Sequence, residues 1–237
     1  MDLGISGKVA LVTASSKGLG LASAQALSAE GCPVVMCARS ADVLSAAAAT
    51  LAGESLAIPI DVTEEGAPAE LVRRTVERFG GLDILVANAG GPPPGRSLDL
   101  TDEQLRAAVN ANLLTSVRLV RESVPHMRAG GWGRVCLITS SSVKQPIRSL
   151  ALSNTARTGL WAWAKTAAMD LFEDGITVNL ACPGSHATDR MKELGATGPM
   201  GDPADFGRVV AFMCSQSAAF MTGTTVLVDG GSTVGLQ

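Results

Sequence analysis

No tyrosine occurs in the 237 residues, and aromatic side chains of all kinds make up 3% of the chain. A phenol is therefore excluded as the acid or base of any chemistry performed here. Histidine is nearly as scarce, at two residues, His126 and His186. The five cysteines, Cys32, Cys37, Cys136, Cys182 and Cys214, are odd in number and form no Cys-x-x-Cys pair. They read as reduced core thiols of a cytoplasmic protein, not as metal ligands or disulfide staples, and no metal is expected. No apolar run reaches membrane-spanning length, and the N-terminus, with its acidic second residue, is unlike a secretory signal. Charge of one sign is not concentrated either: 19 Lys+Arg and 22 Asp+Glu are scattered and leave a net charge of −3. That pattern argues against nucleic acid or an anionic membrane as partner and for a small molecule.

What is present is a regular alternation. Short β-branched runs, at 8–13, 33–37, 55–60, 83–87, 134–139, 176–181 and 225–228, alternate with Ala- and Leu-rich stretches carrying i, i+3, i+4 apolar spacing. Seven strands joined by helices predict an α/β fold: one doubly wound Rossmann domain over residues 1–237, with a seven-stranded parallel sheet covered on both faces. Strands as continuously apolar as Val9-Ala-Leu-Val12 fit burial on both sides. Ligands in such sheets sit beyond the carboxyl ends of the strands, near the reversal of strand order, so informative residues should follow strands.

Thr13-Ala-Ser-Ser-Lys-Gly-Leu-Gly20 follows the first strand and opens a helix. Its glycines let backbone amides and the helix N-terminus approach a pyrophosphate. The turn resembles the T-G-x-x-x-G-x-G of the short-chain dehydrogenase/reductase family, with Ala14 in place of the first glycine; an alanine there is acceptable only at negative φ. The resemblance runs along the chain through Asp61-Val62, Asn88-Ala-Gly90, Asn179, Pro183-Gly184, Thr188 and Val228-Asp-Gly-Gly231. It implies a nicotinamide dinucleotide contacted by Ala14, Ser16, Lys17, Gly18, Leu19, Asp61, Val62, Asn88, Ala89, Gly90, Pro183, Gly184 and Thr188. An NAD site places a carboxylate after the second strand, whereas NADP needs cations for its 2′-phosphate. Here that strand ends Cys37-Ala-Arg-Ser40 with no acid, and Lys17 lies in the glycine turn. Arg39 and Lys17 therefore favour NADP.

The same family uses Asn, Ser, Tyr and Lys for its chemistry. Aligned on Val109–Arg118, the asparagine falls on Asn112, with Asn110 as the alternative; the serine falls on Ser140, with Ser141 and Ser142 one and two positions away. The tyrosine and lysine fall on Ser153 and Arg157, so Y-x-x-x-K has become S-x-x-x-R. Residues four apart share a helix face, so the geometry survives while the acid–base character does not. Arg157 carries a fixed charge suited to gripping the ribose hydroxyls and cannot shuttle a proton. Serine is shorter than tyrosine by roughly 4 Å, which leaves space for water or a larger substrate group. Three proton sources are compatible with the sequence: water held by Ser140, Ser153 and Asn112; Lys144; or His186, since imidazole chemistry suits transfer near neutral pH.

On the substrate side, Gly91-Pro-Pro-Pro-Gly95 is a stiff segment that either walls a pocket or is a rigid surface loop, and 188–201 resembles the family's substrate lid. The resemblance is to 3-oxoacyl-carrier-protein-reductase-like members and implies an NADP-dependent oxidoreductase acting on a carbonyl or alcohol with an altered proton relay. The S-x-x-x-R replacement keeps open a family member without redox turnover: a lyase, isomerase or cyclase, or a regulatory NADPH-binding protein. A homodimer or homotetramer is the family's usual assembly, through helices expected at about 102–130 and 150–172.

Overall fold

In a computed structural model that describes residues 2–235, the sheet has the order β3-β2-β1-β4-β5-β6-β7 with every pairing parallel. Its strands are β1 (Ala10–Val12), β2 (Val34–Ala38), β3 (Ser55–Pro59), β4 (Ile84–Ala87), β5 (Gly133–Ile138), β6 (Ile176–Pro183) and β7 (Thr225–Val228). All seven expected strands are present within a few residues of their expected ends. Strand order reverses between β1 and β4, which opens a crevice above their carboxyl ends.

Alternation along each strand sends side chains to opposite faces and builds two cores. Leu11, Val35, Leu85, Val135 and Leu137 pack on one side against α3 (Ala67–Phe79), α5 (Thr115–Gly130) and α6 (Ala151–Leu171). Val12, Val34, Met36, Ile84 and Val86 pack on the other against α1 (Gly18–Ala29), α2 (Ala41–Ala48) and α8 (Pro203–Met213). All five cysteines are free and buried, as their spacing implied. Burial pushes the thiols of Cys32 and Cys37 up to about 12, so neither is a thiolate at neutral pH.

One expectation is corrected. The helix anticipated over about 102–130 is broken: α4 (Asp102–Val109) passes into a π-helical turn, Asn110–Leu114, before α5 begins. The Asn110 carbonyl accepts both the backbone N–H and, at 2.9 Å, the hydroxyl of Thr115, five residues on, which holds the wider turn closed. The lid segment holds a short helix, α7 (Asp189–Glu193), and its two ends are pinned together by the His186–Gly201 bridge.

α1 and α8 cross closely because Gly207 has no side chain: a Cβ there would lie 2.3 Å from the Ala22 carbonyl oxygen. The obstacle is backbone and cannot rotate away. Gly207→Ala is therefore expected to cost about 1–3 kcal/mol, the scale of core overpacking, and to lower the melting temperature by several degrees in a calorimetric scan. An unchanged melting temperature would mean the two helices separate at little cost.

Candidate active site

The crevice is a cleft of about 850 Å³. Every residue assigned to the cofactor or the chemistry lines it: Ala14, Ser16, Lys17, Gly18, Leu19, Arg39, Asp61, Val62, Asn88, Ala89, Gly90, Asn112, Ser140, Ser153, Arg157, Pro183, Gly184, His186 and Thr188. Most follow the carboxyl end of a parallel strand, all of which end on one side of the sheet, while Asn112 comes from the turn after α4 and Ser153 and Arg157 from α6.

The β1–α1 turn is tied to β4 side by side. Thr13 Oγ1 donates to the Asn88 carbonyl at 2.7 Å and accepts the Asn88 N–H at 2.9 Å, while Asn88 Nδ2 donates to the Ala14 carbonyl at 3.1 Å. Ala14 has φ +45°, the only positive φ of a non-glycine among the described residues. The requirement for negative φ at this alanine is thus overturned: its hydrogen-bonded neighbours impose the left-handed conformation that the family's glycine adopts freely. Gly20 is obligatory for a different reason, since a Cβ there would lie 2.5 Å from the Ala14 oxygen and 2.7 Å from Asn88 Nδ2. No side chain caps the N-terminus of α1, which leaves its first amides for an anion.

At the far end of the same groove, Lys17 and Arg39 are exposed and have no carboxylate at ion-pair distance among the described residues. Asp61 is nearby, but its carboxylate is occupied in a local turn, accepting the Thr63 N–H at 3.0 Å and the Thr63 hydroxyl at 2.7 Å. Those bonds, the N–H first, hold its pKa below the ordinary aspartate value.

At the other end, Ser140 Oγ accepts the Ser142 N–H at 3.1 Å, and Ser140 is the one member of the serine triplet that lines the cleft. Ser153 and Arg157 lie one turn apart on α6, each only 6% exposed. Arg157 Nη1 donates to the carbonyls of Ile138 (2.8 Å) and Thr139 (3.0 Å), and Nη2 to that of Ala89 at 3.4 Å. The guanidinium therefore laces the ends of β4 and β5 together, so the expected two-pronged ribose clasp has only its remaining N–H groups available. Burial pushes its pKa down to about 10, with the charge of Arg190 adding to the effect, and it stays cationic at neutral pH.

Asn112 sits in the π-helical turn, 3% exposed. Its Nδ2 donates to the Ala108 carbonyl at 3.4 Å, and its Oδ1 has no partner among the described residues. Asn110 is engaged elsewhere, its amide donating to the Thr63 carbonyl and its oxygen accepting from Arg118, whereas Asn112 lines the cleft. His186 lines the cleft but is closely enclosed. Its ring is 4% exposed, edge-on to Phe206 at 5.2 Å, with Nδ1 3.2 Å from the Gly184 carbonyl and Nε2 against Gly201. Lys144 is likewise committed, its ammonium 4.2 Å over the Trp161 ring and outside the cleft lining.

A profile of the family described as "Enoyl-(Acyl carrier protein) reductase" matches residues 13–233. The chain belongs to the short-chain dehydrogenase/reductase family. It is 34% identical over 242 aligned positions to "Dehydrogenase/reductase SDR family member 4" of Sus scrofa, covering 95% of this chain and 87% of that one. Identity to the L-fucose dehydrogenase of Rattus norvegicus is 35% over 249 positions, covering 97% and 91%. The L-sorbose reductase of Gluconobacter frateurii, solved with NADPH and L-sorbose, superimposes with a TM-score of 0.92 at 31% identity over the whole of both chains.

Several cleft residues of this short-chain dehydrogenase/reductase were not anticipated. Gln104 and Ala108 of α4 and, above all, Arg190 also face the cavity, Arg190 beside Met191 and Leu194 of the segment already likened to a substrate lid. Arg190 stands two positions after Thr188 within the segment likened to a substrate lid, where only its charge could have singled it out.

The strained alanine generates a prediction. Ala14→Gly relieves a left-handed conformation costing about 1 kcal/mol, so the variant should melt about 2–4 °C higher with cofactor affinity retained. A lower melting temperature would show that Ala14 is not strained.

Proposed function

We propose that the chain is an NADP-dependent oxidoreductase that reduces a small carbonyl compound, or oxidises the corresponding alcohol, with a proton relay that contains no phenol. The observation that carries this reading is the convergence of the expected family residues on one cleft whose nucleotide end offers Lys17 and Arg39 without an ion-pair partner among the described residues. Those cations would hold a 2′-phosphate, and the free amides at the start of α1 the pyrophosphate. Bound there, NADPH would supply the hydride.

The remaining steps fall to the chain. Ser140 and Ser153 offer hydroxyls to the substrate oxygen, and the fixed charge of Arg157 beneath them stabilises negative charge growing on that oxygen. Asn112 Oδ1, buried and without a partner among the described residues, is suited to hold the water that delivers the proton. With no titrating tyrosine or lysine in the relay, Arg157 acts through charge and position only. Assembly as a homodimer or homotetramer in the cytoplasm belongs to the same reading; Met169 and Phe172, exposed at the end of α6, give such a contact apolar surface.

A second reading has one observation in its favour. Three N–H groups of Arg157 are occupied by backbone carbonyls, which suits a structural cation in a protein that binds NADPH without turning it over, or that performs a lyase, isomerase or cyclase step.

Calorimetry with both cofactors tests the nucleotide assignment. NADPH should bind more tightly than NADH, and Arg39→Asp should weaken NADPH by roughly 10- to 100-fold, the scale of a charge-assisted hydrogen bond, with NADH unaffected or improved. Equal affinities in the parent protein would overturn the preference for NADP. The Ser153→Tyr, Arg157→Lys double variant separates the two readings of the chemistry: NADPH consumption against ketones and 3-oxoacyl thioesters should rise over the parent. A variant that binds NADPH and turns over none of them would favour the non-redox reading.

A further inference from the structure

The substrate end of the cleft carries two guanidinium groups against a single lining carboxylate among the described residues, that of Asp189, which has Lys192 as its partner. Arg157 lies in the floor, 6% exposed, with only neutral carbonyls as partners. Arg190 reaches in from the lid. Its Nη2 donates to the Pro92 carbonyl at 2.6 Å across the mouth of the cleft, and its Nη1 has one loose neighbour, Glu193 Oε2, at 3.9 Å. Glu193 is itself 61% exposed, so that pair contributes little. The nearest acid along the chain, Asp189, pairs with Lys192 at 3.4 Å on the surface of the lid. The guanidinium of Arg190 lies flat on Gly91, where an added Cβ would come within 3.3 Å of Nε and Nη2. Gly91 and the Pro92 carbonyl thus fix the fork from behind, leaving N–H groups for a planar acceptor.

A buried cation without a counter-charge is costly unless something supplies one. Two cations lining one cleft, with apolar Met191 and Leu194 in the same lining, suit an anion of small size. Serine in place of a tyrosine leaves the room for it. We propose that the substrate is an oxo acid, or its hydroxy acid product, whose carboxylate is read by Arg190, with Gly91 positioning the guanidinium. The proposal rests on the oxidoreductase reading above. In that reaction the carbonyl carbon gains the hydride supplied by NADPH, the C=O π pair moves to oxygen, and a proton from water completes the hydroxy acid, leaving NADP+.

The probes are pyruvate, acetoacetate and levulinate, each compared with its methyl ester, on NADPH-loaded protein. Binding is followed by calorimetry and turnover by NADPH absorbance. At least one acid should bind roughly 10- to 100-fold more tightly than its ester, the scale of a charge-assisted pair. Arg190→Gln and Gly91→Ala should erase that difference by weakening the acid alone, raising KM more than they lower kcat. Arg190→Lys should restore part of it, and NADPH affinity should stay within about twofold of the parent. Three outcomes overturn the proposal: no acid binds, esters bind as well as acids, or Arg190→Gln weakens NADPH in place of the acid, which would assign Arg190 to the cofactor. Because acid-over-ester binding is measured without turnover, its loss is distinguishable from a failure of the redox reading. Neutral ketones turned over without discrimination would remove the carboxylate and keep the reductase.

Discussion

The cleft depends on the clasp between Thr13 and Asn88. These residues end the two strands at which the sheet changes direction, and any sheet with this topology splays there, because helices leave toward opposite faces. One hydroxyl acting as donor and acceptor, with one side-chain amide, holds both strand ends in register and presses the phosphate turn against the sheet. The strain at Ala14 and the intolerance of Gly20 to any side chain follow from the same tight contact. Local backbone cost is accepted so that amides and glycines stand where a pyrophosphate would lie.

Below the clasp, Arg157 changes the electrostatic character of the family site. A lysine there would be a compact point charge on a flexible stem, whereas the planar fork of arginine ties itself to carbonyls of two strand ends. The result is a rigid, permanently charged floor. Such a floor stabilises an anion that is present or developing; it does not donate protons. Nearby, Asn112 keeps a buried side-chain oxygen that the π-helical turn leaves without a partner among the described residues.

The fold was legible because two patterns are plain in the chain: short, continuously apolar runs in strands buried on both faces and period 3.6 in the helices that cover them. The positions lining the cleft were legible because they follow strands in short motifs at fixed places. Conformation was less so. Nothing local in Thr13-Ala-Ser announces a left-handed alanine, since its backbone is set by Asn88, far along the chain. The orientation of His186 was also hidden, because Phe206 and Gly201 box it in from distant positions. Arg190 was legible only as one residue of the segment likened to a substrate lid, and its place at the rim comes from the Pro92 carbonyl, a contact that sequence spacing does not encode.

The wide turn at Asn110–Leu114 has a consequence for how the two halves of that long helix face the protein. An α-helix advances about 100° per residue, so one extra residue in a turn re-phases everything after it by that angle. The stripe of α4 that carries Ala108 and the stripe of α5 that carries Val117 and Val120 would otherwise point in different directions. The surplus residue brings both inward and lets Asn112 sit between them as a buried polar group. The helix thus gives up a continuous ladder to serve two neighbours at once, the cleft on one side and the sheet core on the other.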